Sequence, residues 1–109
     1  MGQADAAVGT IISQFAKALE QRVRVDQIIL FGSWARGDAT EDSDIDLLVV
    51  SPDFGVSVLA DMILLRECLP PHDVDVDTLA RTPQQIAAAE PDSFLATALE
   101  EGKVVYQPV

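Results

Sequence analysis

Two aspartates, Asp44 and Asp46, stand two positions apart at the start of an apolar run. Residues two apart in a strand point to the same side, so both carboxylates would share one face while Ile45 and Leu47 point into the core. Two like charges held this close repel, and one would take up a proton unless a cation neutralised them. Magnesium suits such a pair, because it binds hard oxygen ligands and often combines carboxylates with substrate phosphates. A solvent-facing strand start is the simpler alternative.

A second set of residues, Gly32-Ser33, directly follows the apolar run 27–31, which predicts a buried strand that turns into a short helix. Glycine allows a tight turn and close approach of a ligand. The first amides of a helix lack internal partners and can bind a phosphate, to which the Ser33 hydroxyl and Arg36 would add donors. The alternatives are an ordinary turn and a surface arginine. Trp34 is interpreted as a half-buried anchor or, alternatively, as a surface that stacks on a base.

A third set of acids, Asp73, Asp75 and Asp77, alternates with valines and predicts a strand with all three on one side. If this strand lies beside the one that carries Asp44 and Asp46, one of the three would reach the same edge and complete a three-carboxylate metal site. The spacing does not choose among them, and a solvated acidic face is the alternative.

Apolar periodicity predicts the elements that must position these residues. We expect an α/β (α+β) fold, with a small mixed β-sheet and helices packed on it. A capping box at Thr82 with Pro83 predicts the start of a further helix, which is expected to reach about Ala89. The predicted helices cover about 4–22, 33–37, 58–69, 83–89 and 93–101, and the predicted strands cover 27–31, 45–50, 73–79 and 104–106, with a polar loop over 38–43 and Gly102 as a helix cap. In the last helix, Phe94, Leu95, Ala98 and Leu99 are expected to form the apolar face that packs on the core.

Length and composition limit the possible functions. We expect one domain over residues 1–109. One cysteine and one histidine exclude an internal disulfide and a zinc site of ordinary composition, and Cys68 is expected to be buried. The net charge of −11 argues against binding a nucleic-acid backbone, although it suits a metal-bridged nucleotide, a basic partner protein or simple solubility. No apolar stretch is long enough to span a membrane, so we expect a soluble cytoplasmic protein.

In combination these features resemble a known signature. The segment GSWARGDATEDSDIDLLVV is similar to that of the polymerase-beta-like nucleotidyltransferase superfamily, with ten residues between Ser33 and Asp44. The Gly-Ser-x-Ala-Arg-Gly form, followed by Ser-Asp-Ile-Asp-Leu, resembles the minimal nucleotidyltransferases of prokaryotes. The resemblance extends from about Ile28 to Tyr106.

This resemblance implies a set of roles for the site residues. Gly32 and Ser33, with Arg36, would hold the triphosphate of ATP. Asp44, Asp46 and a third acid would hold Mg²⁺ and act in catalysis. In the family the third acid lies a short distance before Thr-Pro, which assigns it to Asp77, with Asp75 as runner-up. The family's strand normally carries hydrophobic residues where one of these two acids stands.

The resemblance also implies a partner. Many proteins of this group act as antitoxins that transfer AMP from ATP to a tyrosine hydroxyl of a HEPN-type toxin, which is an RNase. The alternative is a non-catalytic binding module that neutralises or scaffolds a partner by contact. Transfer to a small hydroxyl compound such as an aminoglycoside is a weaker hypothesis, because those enzymes carry additional substrate-binding sequence. The sequence leaves the oligomeric state open.

Overall fold

A computed structural model describes residues 3–40, 42–71 and 75–108, with side chains from residue 6 onward. Its elements follow the predicted order of helices and strands. They are α1 (Gln3–Glu20), β1 (Gln27–Phe31), α2 (Ser33–Arg36), β2 (Ile45–Val50), α3 (Val58–Cys68), β3 (Val76–Arg81), α4 (Pro83–Ala87), α5 (Phe94–Glu101) and β4 (Lys103–Tyr106).

The sheet has four strands in the order β3-β2-β1-β4. β1 runs antiparallel to both of its neighbours, whereas β2 and β3 are parallel. The sheet is therefore mixed, as predicted. The two central strands are almost continuously apolar, as is typical of strands covered on both faces.

Alternation along the strands divides the interior into two layers. On one face, alternate residues of β1 and β2 pack against α1 and α3, and this cluster includes Phe15, Leu19, Leu47 and Leu65. On the other face, Ile29, Phe31, Leu48 and Val50 of the same strands pack with Ala98 of α5. Because side chains alternate with a period of two, Asp46 lies on the same face as Leu48 and Val50. A carboxylate thus stands at the end of an otherwise apolar row.

Several boundaries differ from those predicted. β3 begins at Val76, later than the predicted residue 73, and Asp73 lies outside the described residues. Asp75 precedes the strand, and its backbone carbonyl accepts a hydrogen bond from the amide of Ile45 at 2.9 Å. The helix predicted after Thr82 is α4, which ends at Ala87 rather than at about residue 89, and its predicted capping box between Thr82 and Gln85 is confirmed.

Two other predictions concern single features of the chain. Cys68 is buried, as expected for a small apolar side chain. No helix in the part of the chain that the structure describes is both long and apolar enough to cross a membrane.

Candidate active site

The turn between β1 and α2 depends on a glycine for two reasons. Gly32 has φ 72° and ψ −153°, a conformation that is essentially restricted to glycine. In addition, the Asp46 carboxylate lies against its α-carbon, in the space that a Cβ would occupy. Gly37, with φ 87°, ends α2 in the left-handed conformation. Any side chain at position 32 would therefore strain the backbone and displace Asp46.

The predicted carboxylates that the structure describes, Asp44, Asp46, Asp75 and Asp77, lie at one end of the sheet. Asp46 is half-buried, whereas Asp44 and Asp77 are exposed. Asp77 is paired with Asp46 in the parallel register of β2 and β3, so their side chains share a face. Asp75 is exposed and lies before β3 begins. Of the two candidates for a third acid, Asp77 is thus the one that stands beside Asp46 within the sheet.

The protonation of Asp46 reflects these neighbours. Partial burial raises the pKa of its carboxyl most, and the negative charges of Asp77 and then Asp44 raise it further. Arg36 offsets part of this rise in pKa. The described residues hold no group of three Asp, Glu, His or Cys side chains arranged to bind a metal ion. The carboxylates of Asp44, Asp46 and Asp77 nevertheless fit Mg²⁺, because Mg²⁺ prefers hard oxygen ligands and a cation would relieve the repulsion at Asp46.

A cleft of about 480 Å³ brings the two predicted motifs together. Its walls include Gly32 and Ser33 from the turn after β1 and Asp44 and Asp46 from the start of β2. Asp77 lies on β3, the neighbour of β2 away from β1 and its glycine turn, and lines a different groove. The complete lining is Phe31, Gly32, Ser33, Arg36, Ser43, Asp44, Asp46, Phe94, Thr97, Ala98 and Glu101.

Arg36 lines this cleft but is held by acidic side chains. Its guanidinium donates to Glu101 of α5 at 3.0 Å and to Asp38 at 3.3 Å. The hydrogen bond to Glu101, and then that to Asp38, raises the pKa of Arg36 above its ordinary value. A phosphate bound by Arg36 would have to share it with these two acids. Sequence reasoning did not place Glu101 in the site, because it is separated from Arg36 by 65 positions.

Two of the aromatic side chains near the cleft, Trp34 and Phe94, have different environments. Trp34 is half-buried against the core, and its indole N–H donates to the backbone carbonyl of Ser43 at 3.2 Å. It is therefore an anchor for the loop before Asp44, as the first interpretation predicted. Phe94 is 66% exposed and lines the cleft, although its helical spacing had predicted a core residue. Its ring stands edge-to-face against Phe31, with centroids 5.9 Å apart.

Similar proteins were found by sequence. The family profile described as the nucleotidyltransferase domain matches residues 12–105. A protein of Methanocaldococcus jannaschii, provisionally named a protein adenylyltransferase, is 38% identical over 99 residues, which cover 87% of this chain and 94% of the relative. Protein adenylyltransferase MntA of Thermococcus cleftensis is 45% identical over 42 residues, which cover 38% of this chain and 42% of that protein.

Solved structures share the fold. A protein of Sulfolobus solfataricus, provisionally described as a nucleotidyltransferase, matches with a TM-score of 0.63 at 17% identity and covers 98% of this chain and 90% of its own. A chain from a toxin-antitoxin crystal structure with AMP-PNP matches with a TM-score of 0.63 at 23% identity, over 88% of this chain and 73% of that one. Since the family profile spans most of its length and the M. jannaschii relative aligns nearly end to end, the chain belongs to the nucleotidyltransferase-domain family and is an enzyme of that class.

Proposed function

We propose that this nucleotidyltransferase transfers AMP from ATP to a tyrosine hydroxyl of a HEPN-type toxin, with Mg²⁺ as cofactor, and thereby acts as an antitoxin. The observation that carries the proposal is the single cleft that combines Gly32 and Ser33 with the carboxylates of Asp44 and Asp46. A phosphate-binding turn and a metal-binding pair are the two parts that phosphoryl-type transfer requires within one site.

The reaction assigns a separate task to each group. The acceptor oxygen attacks the α-phosphorus of ATP, the bond from that phosphorus to the bridging oxygen of the β-phosphate breaks, and pyrophosphate leaves. Asp77 takes the proton of the acceptor hydroxyl. Ser33 and Arg36 bind the phosphates that become pyrophosphate. Asp44 and Asp46, together with Asp77, would hold Mg²⁺, which when bound stabilises the charge that develops on the phosphate oxygens.

The base of the nucleotide has a candidate surface in the same cleft. Phe94 offers an exposed ring, whereas the indole of Trp34 is engaged with Ser43 and the core. Phe31 supports the Phe94 ring from its edge. Any of the nucleotide bases can stack on an aromatic face, so we assign Phe94 as the stacking residue for the base.

Three observations support a protein acceptor. The relatives from M. jannaschii and T. cleftensis bear the name of protein adenylyltransferases. A structural neighbour belongs to a toxin-antitoxin complex that was crystallised with AMP-PNP. The net charge of −11 suits docking on a basic protein, such as one that itself binds RNA.

The experiment that tests this function uses the purified HEPN-type protein as acceptor. Label from α-³²P ATP should appear on the acceptor, whereas label from γ-³²P ATP should not, and EDTA should abolish transfer. Asp44→Asn and Asp46→Asn should each lower the rate at least about a hundredfold, which is the scale of removing one electrostatic contact to a developing charge. Transfer of the γ-label to the acceptor, or equal transfer rates for these variants and wild type, would contradict adenylyl transfer.

The second candidate is neutralisation by contact alone. It is favoured by the net charge of −11, which by itself suits docking on a basic protein. The Asp44→Asn/Asp46→Asn double variant separates the two. If it still inhibits the toxin without nucleotide, contact is sufficient. If inhibition requires both wild-type aspartates and ATP, the enzymatic reaction neutralises the toxin.

A further inference from the structure

An apolar surface covers the start of α3 and the residues just before it. Five large hydrophobic side chains there are at least half exposed, within only eight positions of sequence. They are Val56 (97%), Val58 (73%), Leu59 (67%), Met62 (58%) and Ile63 (50%). Scattered exposed hydrophobics need no explanation, but a contiguous group of this kind marks an interaction site.

This surface continues into a groove of about 360 Å³ between α3 and β3. Leu59, Met62 and Ile63 form one wall, while β3, an edge strand of the sheet, forms the other through Val76, Asp77 and Thr78. The groove therefore joins an apolar surface directly to Asp77, which is paired with Asp46 in the sheet.

The strand order places the groove and the cleft on opposite sides of β2. β1 and its glycine turn flank β2 on one side, and β3 flanks it on the other. In phosphoryl-type transfer the attacking and leaving oxygens are roughly in line across the reacting phosphorus. If pyrophosphate leaves on the Ser33 side, the acceptor hydroxyl must approach from the side of Asp77. Asp77 shares a face with Asp46, whereas α3 packs on the other face of the sheet, so an occupant of the groove would reach the Asp77 carboxylate across the edge of β3.

Charge decides between two possible occupants of the groove. A second copy of this chain would bring together two surfaces with a net charge of −11 each, which repel. The charged lining of the groove is Arg66, Glu67 and Asp77, and Asp75 lies just before β3, so acidic side chains outnumber the one arginine there. An occupant with apolar side chains flanked by lysine or arginine would satisfy both the apolar wall and this charge.

We propose that the α3–β3 groove docks the acceptor protein, through an apolar segment flanked by basic residues, and so presents its hydroxyl group to Asp77. This inference rests on the proposed adenylyl transfer for its catalytic meaning. The docking itself is measurable without nucleotide, so the two can fail separately.

The test measures the affinity of the purified HEPN-type protein for wild-type and variant chains by titration calorimetry without ATP. Leu59→Lys and Met62→Lys should each weaken the Kd about tenfold or more, because they remove apolar contact and repel a basic partner. Met62→Glu loses the same contact without that repulsion and should weaken it less. Val104→Lys is the matched control, since Val104 is an exposed valine on β4 at the opposite edge of the sheet, and it should stay within about twofold.

Each result has a definite meaning. Equal affinities for wild type and the α3 variants, or no binding by wild type, would overturn the docking proposal. The docking proposal would also be overturned if the wild-type chain alone sediments as a dimer and Met62→Lys sediments as a monomer, because a second copy then occupies the groove. Groove-dependent binding without AMP transfer by wild type would support docking while rejecting the proposed function. Circular dichroism of each variant verifies that α3 is retained.

Discussion

The cleft and the groove on either side of β2 differ in chemistry although both lie at the carboxylate end of the sheet. The cleft is built from a glycine turn, a serine, an arginine and carboxylates, which are groups that bind phosphate and metal. The groove is bordered mainly by aliphatic side chains of α3 and by the edge strand β3. This difference suits the two proposed occupants, a nucleotide that charge and short polar contacts would bind in the cleft and the apolar segment of the proposed acceptor in the groove. Asp46 and Asp77, paired across the two strands, lie at the boundary.

The largest effect should come from the acid at this boundary. We expect Asp77→Asn to lower AMP transfer at least about a hundredfold, because it removes the proton acceptor and a metal ligand. Asp75→Asn is the matched control, since it removes the same charge just outside β3, and it should change the rate by no more than a few-fold. Rates from α-labelled ATP measure both. The reverse order of the two variants would assign the third acid to Asp75.

A pair of glycine variants separates backbone strain from displacement of Asp46. Gly32→Ala should lower the free energy of unfolding by about 2 kcal/mol and the transfer rate by about a hundredfold, because the new Cβ strains the turn and displaces the carboxylate. Gly37→Ala also has an unfavourable φ, but the space around it is open, so it should cost about 1 kcal/mol. Urea denaturation gives the stabilities. Comparable transfer rates for the two variants would show that the contact between Gly32 and Asp46 is unimportant.

The local part of the site could be predicted from sequence, and the long-range part could not. The turn at Gly32 and the pair Asp44/Asp46 follow from consecutive residues and the two-residue period of a strand. The choice between Asp75 and Asp77 depends on the register of β2 against β3, which are joined through α3 and are aligned by packing of the whole sheet. Spacing within one strand contains no information about that alignment.

The same reasoning explains the two cleft residues that sequence analysis misplaced or missed. Phe94 fits the apolar spacing of α5, but Leu95, Ala98 and Leu99 occupy the core face, and the ring at the first helical position faces the cleft. Glu101 reaches Arg36 only because α5 packs across the end of β1. Both depend on how the helix is docked, which is a tertiary property.

On the cleft side, a change at Phe94 should have a smaller effect than the carboxylate variants. Phe94→Ala should weaken ATP binding about tenfold, because stacking of one base on an aromatic ring contributes about 1–3 kcal/mol. Phe94→Tyr retains the aromatic face and should bind like wild type. Binding of tripolyphosphate, which has no base, should be the same for all three proteins. A loss of tripolyphosphate binding by Phe94→Ala would instead indicate a general distortion of the cleft.

The smallest effect concerns the acid that competes with the nucleotide for Arg36. Glu101 lines the cleft and accepts a hydrogen bond from Arg36, so its negative charge both occupies that cation and repels a triphosphate. We therefore expect Glu101→Gln to tighten ATP binding a few-fold, and Asp38→Asn, which lies outside the cleft lining, to tighten it less. Raising the salt concentration should reduce the difference between Glu101→Gln and wild type, because screening weakens exposed charge interactions. Weaker ATP binding by Glu101→Gln would mean that Glu101 instead orients Arg36 toward the phosphates. In that case the ion pair between Arg36 and Glu101 would be part of the phosphate-binding site. The chemical difference between the cleft and the groove would then depend on α5, which carries Glu101, as well as on the turn after β1.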